Sequence, residues 1–418
     1  MICSNRRRSL ICIFVLALLV RLVFIFSMQN GFYFVDSVKY SAAAVSLLKN
    51  GEFGEKYTRP PVYPVFLAGI YAVFGEKILA VRIVESVLGA GLAVLIALLV
   101  MRIGGAQVGV LAGLLWSVYP MAVFIAGLVY PETVVTVLLA GAVLCMLTEA
   151  GRELGPRRIF FDGVLFGLAA LTKPVVLVTI AATALWIMYW KRAQRFSLAA
   201  VFLVGVALPL APWTARNFSA HGGLVIVEPR FIENLSWIEE VPENSPDDST
   251  ENVAVAKIEV INQYAVQFAI HFVTEFAQFW ELYPQRIEMD DPRFRESMHQ
   301  RDPRIVAKTV FGTDWTDVIS ILSVGPMFLF ALIGARTLWF QKEQRQALSL
   351  LGMTILSFAV GYSFFYAKTR YRFPVEPYIV ILSAVGLHRV WTRGMRKVQG
   401  SKFKVQPPAA PARCKVQS

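Results

Sequence analysis

An aspartate directly after the first long apolar run is the strongest candidate for chemistry in this chain. Asp36 lies in the sequence Phe-Val-Asp-Ser-Val-Lys-Tyr at positions 34–40. A carboxylate is costly to desolvate where a transmembrane helix leaves the bilayer, so such a group usually has a function there. One such function is that of a general base, which takes a proton from an attacking nucleophile. Asp36 is therefore predicted to be catalytic, with the N-cap of an interfacial helix as the alternative.

Further polar residues lie where other apolar runs end. Arg59 precedes two prolines, whose rigid backbone directs its side chain, and Glu132 follows Pro131. Arginine and lysine side chains bind phosphate, and a second carboxylate can assist a base. These residue types together predict a site for an anionic, lipid-linked headgroup. The candidates besides Asp36 are Glu132 as a second catalytic acid, and Arg59, Tyr63, Lys173, Arg216, Arg370 and Arg372 as substrate-binding residues.

Most of these candidates also have a structural explanation. Glu132 fits an ordinary first-turn acid favoured by the helix dipole. The side chain of Lys173 could extend its charged end to the membrane interface. Arg216 could cap the end of a helix. Arg370 and Arg372 fit nonspecific binding of lipid headgroups. The sequence leaves these alternatives open.

The composition places the chain in the membrane class. Of its 418 residues, 56% are hydrophobic and 17% are charged, whereas a soluble protein carries about 25% charged residues. The net charge of +12 resides in short clusters between apolar runs and in the C-terminal tail. This distribution fits the positive-inside rule and gives no indication of nucleic-acid binding. The four cysteines and four histidines show no metal-ligand spacing.

Apolar runs of about 20 residues predict an all-α polytopic protein with about ten transmembrane helices. The parity of the arginine and lysine clusters places both termini in the cytoplasm, and the expected location is the inner or plasma membrane of a bacterium. Residues 1–391 form the predicted membrane domain. The predicted spans are 9–28, 78–101, 107–129, 133–148, 159–171, 175–190, 197–213, 318–340, 347–366 and 375–391.

Three segments lie outside these spans. Residues 31–77 are predicted to form two interfacial helices at the outer mouth of the bundle, because the apolar stretch 61–74 is too short to span. Residues 214–317 are an outer loop predicted to fold as a mostly helical lid, with helical patterning at 253–283. The basic tail 392–418 is predicted to be disordered beside anionic lipid.

The order of the motifs resembles that of the GT-C membrane glycosyltransferases. More narrowly, it is similar to glycosyltransferase family 39-type enzymes, the dolichyl-phosphate-mannose protein mannosyltransferases and the bacterial lipid A aminoarabinose transferases. The motifs that carry the resemblance are Asp36-Ser-Val-Lys-Tyr40, Arg59-Pro-Pro-Val-Tyr-Pro64, Phe74-Gly75, Arg82, Pro131-Glu132, Pro212-Trp-Thr-Ala-Arg-Asn217 and Arg370-Tyr-Arg-Phe-Pro374. Ser37 departs from the pattern, because the family has a second acid there.

The resemblance implies a reaction and roles for these residues. One hexosyl or pentosyl group would move from a polyprenyl-phosphate donor to a protein, lipid or glycan acceptor at the outer face, with inversion. Asp36 would be the base, Glu132 a supporting acid, and Arg59 with Arg370 or Arg372 the phosphate contacts. No cofactor is implied with certainty, and a divalent metal is left open. The alternative function is a transporter or flippase of an anionic polyprenyl-linked lipid. In that case the same arginine and lysine side chains at the outer ends of the helices would bind the headgroup.

Overall fold

The computed structural model describes residues 2–54, 57–147, 155–190, 194–221, 225–228, 250–282, 313–365 and 367–402, and these residues contain helices and no strand. Short 3-10 helices cover Lys342–Gln344 and Thr369–Val375. The α-helices are α1 (Ile2–Ser27), α2 (Val35–Asn50), α3 (Val62–Phe74), α4 (Ile78–Gly104), α5 (Ala106–Val118), α6 (Pro120–Ala126), α7 (Glu132–Met146), α8 (Pro156–Ala170), α9 (Val176–Trp190), α10 (Arg195–His221), α11 (Thr250–Phe279), α12 (Thr313–Trp339), α13 (Arg345–Ser363) and α14 (Glu376–Lys402).

Each predicted span coincides with a helix, except that two helices share the third one. α5 and α6 meet at an angle of 55°, because Tyr119 is extended and Pro120 cannot continue the hydrogen-bond ladder of α5. Among the residues that the structure describes, five helices are long and apolar enough to cross a membrane, namely α1, α4, α10, α12 and α13, and the bent pair makes a sixth. α7 and α9 are apolar but shorter. The predicted all-helical membrane fold is confirmed, and ten spans are consistent with this helix order.

The helices begin and finish at two opposite ends of the bundle, where the end of one helix contacts the end of another. At one of them, here called the site end, the backbone N–H of Val62 donates to the carbonyl of Leu171 at 3.2 Å. Arg82 near the start of α4 donates to the carbonyl of Gln29, just after α1, at 2.9 Å. At the opposite end, Arg102 donates to the carbonyl of Leu147 at 2.7 Å. α4 therefore starts where α1 finishes, so α2 and α3 between them do not change side, as predicted for 31–77.

Small residues allow two helix pairs to pack closely. Gly163 of α8 and Gly205 of α10 face each other across their crossing, and a Cβ on either would collide with the partner backbone. Gly334 of α12 and Gly386 of α14 repeat this arrangement. In a membrane, where apolar side chains gain little by leaving lipid, such close backbone contact is a main source of helix association.

The remaining segments agree with the expectations in part. The predicted helix at 253–283 is found as α11, whereas 222–224, 229–249 and 283–312 of the outer loop lie outside the described residues. The last helix continues to Lys402, so 392–402 is helical, contrary to the predicted disorder of the tail. Residues 403–418 lie outside the described part of the chain. The side of the membrane on which each end lies stays a prediction.

Candidate active site

The central feature of the site end is a carboxylate between two arginines. Asp36 lies in the first turn of α2. The N-cap position is occupied by Phe34, whose side chain makes no capping hydrogen bond, so the N-cap explanation for Asp36 is wrong. The Nη2 of Arg59 donates to Asp36 Oδ1 at 2.7 Å. The Nη2 of Arg370 lies 3.5 Å from Asp36 Oδ2. The structure thus brings together three predicted site residues that are far apart in the sequence.

The two arginines keep Asp36 ionised. Burial by itself would raise the pKa of this carboxyl group, but the charge and hydrogen bond of Arg59 and the charges of Arg370 and Lys39 hold the pKa below its usual range. An opposite charge within hydrogen-bonding distance favours the charged form of an acid in this way. Asp36 is therefore a carboxylate at neutral pH and can accept a proton.

Arg59 owes its position to the rigid chain around it and to an aromatic ring. Two prolines follow it, and its buried guanidinium lies 5.0 Å from the ring centre of Tyr40. Tyr40 is one helical turn after Asp36 on α2, so both side chains lie on the same face. Burial raises the pKa of Tyr40 to about 12, so its hydroxyl stays protonated. Arg59 is thus held firmly against Asp36.

Arg370 is held less tightly. It lies in the 3-10 helix Thr369–Val375, with its guanidinium 4.7 Å from the ring centre of Tyr130 and 5.1 Å from that of Tyr371. Its contact with the Tyr371 hydroxyl is long, at 3.4 Å, and its buried Nε has no hydrogen-bond partner among the described residues. Arg370 therefore keeps hydrogen-bonding capacity for an anion next to Asp36.

A second, buried ion pair lies in the same end of the bundle. The Nζ of Lys173 donates to Glu132 Oε1 at 2.9 Å and lies 3.4 Å from the hydroxyl of Tyr362. The rings of Tyr362 and Tyr371 stack with centroids 4.6 Å apart, and Lys173 lies 4.8 Å from the centroid of Tyr371. Burial would lower the pKa of Lys173, but Glu132 raises it above the usual range.

The burial of Glu132 and Lys173 bears on whether each has only a structural role. Glu132 is 1% exposed and Lys173 is 8% exposed. The ammonium of Lys173 is buried against Glu132 and not exposed at the surface, and Glu132 is more than a first-turn acid, because it balances this ammonium. Tyr40 interacts electrostatically with both ion pairs.

Three further predicted residues pair with groups other than Asp36 in the part of the chain that the structure describes. Tyr63 is fully buried and donates to Glu85 Oε1 at 2.6 Å. Arg372 is 2% exposed and donates to Glu376 Oε1 at 3.1 Å. Arg216 lies 4.9 Å from the ring centre of Trp213 and donates to the carbonyl of Tyr57 at 3.2 Å. Their substrate-binding roles stay predictions, and the burial of Tyr63 and Arg372 does not favour them.

Sequence reasoning assigned no role to Tyr40, Tyr130 or Tyr371. Tyr40, Tyr130 and Tyr371 each place a ring against a site cation. Tyr40 follows Asp36 by four positions and Tyr371 adjoins Arg370, so helical spacing and adjacency were signals that could have found them. Glu85, inside α4, is an acid within a span, which is itself a signal for a functional or paired group.

The site does not match a metal centre. Within the described ranges, no group of three or more His, Cys, Asp or Glu side chains could hold a metal ion. Both oxygens of Asp36 face arginines, which are cations themselves. The residues present therefore do not fit the divalent metal that the sequence left open.

Comparison with known proteins identifies a family match over part of the chain. The profile of the dolichyl-phosphate-mannose-protein mannosyltransferase family matches residues 58–215. This range contains Arg59, Tyr63, Glu132 and Lys173 and ends just before Arg216. A search of curated proteins gives no significant match.

Solved structures resemble nearly the whole chain. The oligosaccharyltransferase AglB from Archaeoglobus fulgidus, in complex with an inhibitory peptide and a dolichol-phosphate, has a TM-score of 0.56 at 12% identity, over 97% of this chain and 52% of that one. ArnT from Cupriavidus metallidurans in the apo state has a TM-score of 0.57 at 14% identity, over 94% of this chain and 63% of that one. ArnT bound to undecaprenyl phosphate has a TM-score of 0.54 at 16% identity, with the same coverage.

These similarities establish the fold. The chain spans 52% to 63% of the length of these three structures. At such low identities a shared fold carries no assignment of substrate. Together with the family match, the similarities confirm the predicted resemblance to the GT-C superfamily of membrane glycosyltransferases.

Proposed function

We propose that this chain, which has the fold of the GT-C membrane glycosyltransferases, transfers one sugar from a polyprenyl-phosphate-linked donor to an acceptor at the outer face of the membrane. The observation that carries the proposal is the ionised carboxylate of Asp36 between Arg59 and Arg370. A glycosyl transfer from a lipid phosphate needs a base for the acceptor and cations for the leaving phosphate, and these three residues supply both.

The reaction is an in-line displacement at the anomeric carbon with inversion. The acceptor nucleophile forms a bond to this carbon and gives its proton to Asp36, while the bond to the phosphate oxygen breaks and its electron pair stays on the phosphate. The leaving polyprenyl phosphate gains negative charge during this step. Arg59 and Arg370 stabilise that charge, because charge-assisted hydrogen bonds strengthen as the acceptor becomes more negative.

Donor binding prepares Asp36 for its role as a base. In the free protein both arginines lower the pKa of Asp36, which makes the carboxylate a weak base. A donor phosphate that draws hydrogen bonds from Arg370 and Arg59 weakens this effect, and the pKa of Asp36 then rises towards its ordinary value. The base therefore becomes stronger when the donor is in place.

Glu132 supports the site through its lysine. Its contact is Lys173, whose ammonium lies against Tyr371, the neighbour of Arg370. We assign Glu132 the role of supporting acid, which keeps Lys173 charged and the stacked tyrosines in place. The Lys173–Glu132 pair is neutral as a whole, so its contribution is to hold Tyr371, the neighbour of Arg370, in place.

Two features favour a lipid-phosphate donor over transport of a lipid. Two solved structures with the same fold carry dolichol-phosphate and undecaprenyl phosphate, respectively. The charged residues come from helix ends at one end of the bundle, whereas transporters generally bind their substrates near the midplane, between broken helices.

The test is mass spectrometry of envelope glycans, lipids and glycoproteins from cells with the gene intact, deleted and restored. Deletion should remove one sugar from one class of acceptor, and the wild-type gene should restore it. The Asp36→Asn gene should give inserted protein at normal levels without restoring the sugar. An unchanged set of glycans after deletion, or full restoration by Asp36→Asn, would contradict the proposal.

A further inference from the structure

The segment that carries Arg370 is attached to α11, a helix of the long loop after α10. Residues 367–375, here called the Arg370 segment, connect α13 to α14. The backbone N–H of Ala367 donates to the Oε2 of Glu275 on α11. Just before the segment, the ring Nε2 of His271 lies 2.7 Å from the carbonyl oxygen of Phe365. α11 thus holds the chain at the start of the Arg370 segment.

A second attachment lies on the other side of Arg370. The Nη1 of Arg372 donates to the carbonyl oxygens of Phe279 at 2.9 Å and Glu281 at 2.8 Å, at the C-terminal end of α11. The Nε of Arg372 donates to Glu376, the first residue of α14. One planar guanidinium therefore joins the end of α11 to the start of α14, a geometry that a lysine ammonium does not reproduce.

The polar contacts of the Arg370 side chain are long, although its guanidinium also packs against the rings of Tyr130 and Tyr371. Within the described ranges, its polar contacts are 3.4 Å to Tyr371 and 3.5 Å to Asp36, and its Nε has no hydrogen-bond partner. The backbone on either side is attached to α11 at Ala367 and through Arg372. The direction of Arg370 hence depends on these attachments as well as on its own contacts.

We propose that Glu275 and Arg372 are positioning residues, which use α11 to hold Arg370 where it can bind the phosphate of the donor beside Asp36. This inference rests on the proposed role of Arg370 as a phosphate contact. It adds a task for α11, which fixes the geometry of the phosphate site although neither Glu275 nor Arg372 touches the phosphate.

A double-mutant cycle on the full-length protein tests this inference. The protein is placed in nanodiscs prepared with graded amounts of undecaprenyl phosphate, and binding is followed by tryptophan fluorescence. Glu275→Ala should weaken binding about tenfold, within the range of couplings measured between residues of one network. Glu275→Gln keeps an acceptor for Ala367 and should bind nearly as the wild type does. Thr274→Ala, an exposed neighbour on α11, is the matched control and should leave binding unchanged.

The Arg370→Ala background separates the two proposals. There, Glu275→Ala should cause no further loss, because its effect passes through Arg370. A loss of equal size in both backgrounds, or no loss in either, would overturn the positioning role. Wild-type binding by Arg370→Ala alone would instead refute the proposed phosphate site. If Glu275→Ala does not fold, His271→Ala, at a partly exposed position, should give a several-fold loss with the same dependence on Arg370.

Discussion

Replacement of Lys173 by methionine should destabilise the protein by about 3–5 kcal/mol, because it leaves the charge of Glu132 buried without a partner. The side chains of Lys173 and Glu132 are 10% and 2% exposed, with Nζ and Oε1 2.9 Å apart. At an effective dielectric constant of about 20, unit charges at this distance attract each other by roughly 6 kcal/mol. The desolvation of both charges offsets part of this attraction. Glu132 Oε2 already lacks a hydrogen-bond partner in the part of the chain that the structure describes, so neither oxygen of Glu132 would keep a partner there.

The measurement is the free energy of unfolding in mixed micelles, obtained by titration with a denaturing detergent. The double variant Lys173→Met with Glu132→Gln removes both charges and should be within about 2 kcal/mol of the wild type, because the buried unpaired charge is gone. Lys368→Met, at an exposed position of the same end, is the control and should change stability by less than about 0.5 kcal/mol. Wild-type stability of Lys173→Met, or additive losses in the double variant, would refute the reasoning.

Two further predictions concern the first ion pair and the buried arginine of α1. Burial raises the pKa of Asp36, but Arg59 lowers it and the net pKa is below the usual range. Asp36 of the wild type should therefore stay ionised, and kcat/KM should not fall through its protonation between about pH 5 and 8. Arg59→Met should bring an acidic limb into this range, because activity is lost as pH falls through the raised pKa; a pH profile with no such limb would contradict this. Gly89→Ala would place a Cβ 2.7 Å from the Nε of Arg21 and should cost about 1–3 kcal/mol in unfolding free energy. Gly91→Ala, with open space around its Cβ, is the control, and equal thermal stability of the two variants would contradict the described packing.

Local patterns in the sequence predicted most of the helices. The apolar runs marked at least one end of each corresponding helix to within about three residues, whereas α10 and α14 continue well past the predicted ends. The three prolines near 61–64 correctly indicated a short helix, which is α3. The bend between α5 and α6 was not predicted, because the run 107–129 is apolar on both sides of Pro120. The helical start of the tail was also missed, since a basic composition does not exclude the continuation of an existing helix.

The residues of the site could be predicted from the sequence, but which of them contact each other could be predicted only in part. Asp36 and Arg59 belong to neighbouring motifs, but the approach of Arg370 to Asp36 depends on how α13 and α14 pack against the first loop, which no local pattern encodes. The sequence did not distinguish Arg370 from Arg372. The spacing of Arg372 and Glu376 by four residues was a signal that Arg372 is paired within its own segment.

The affinity of Asp36→Asn for undecaprenyl phosphate, measured in nanodiscs, tests the central assignment most directly. In the proposed site Asp36 competes with the phosphate for Arg59 and Arg370, so its neutralisation should leave the affinity equal to that of the wild type or higher by several-fold. Affinity lower than that of the wild type would show that Asp36 itself helps to bind the phosphate, and it would contradict its assignment as the base for the acceptor.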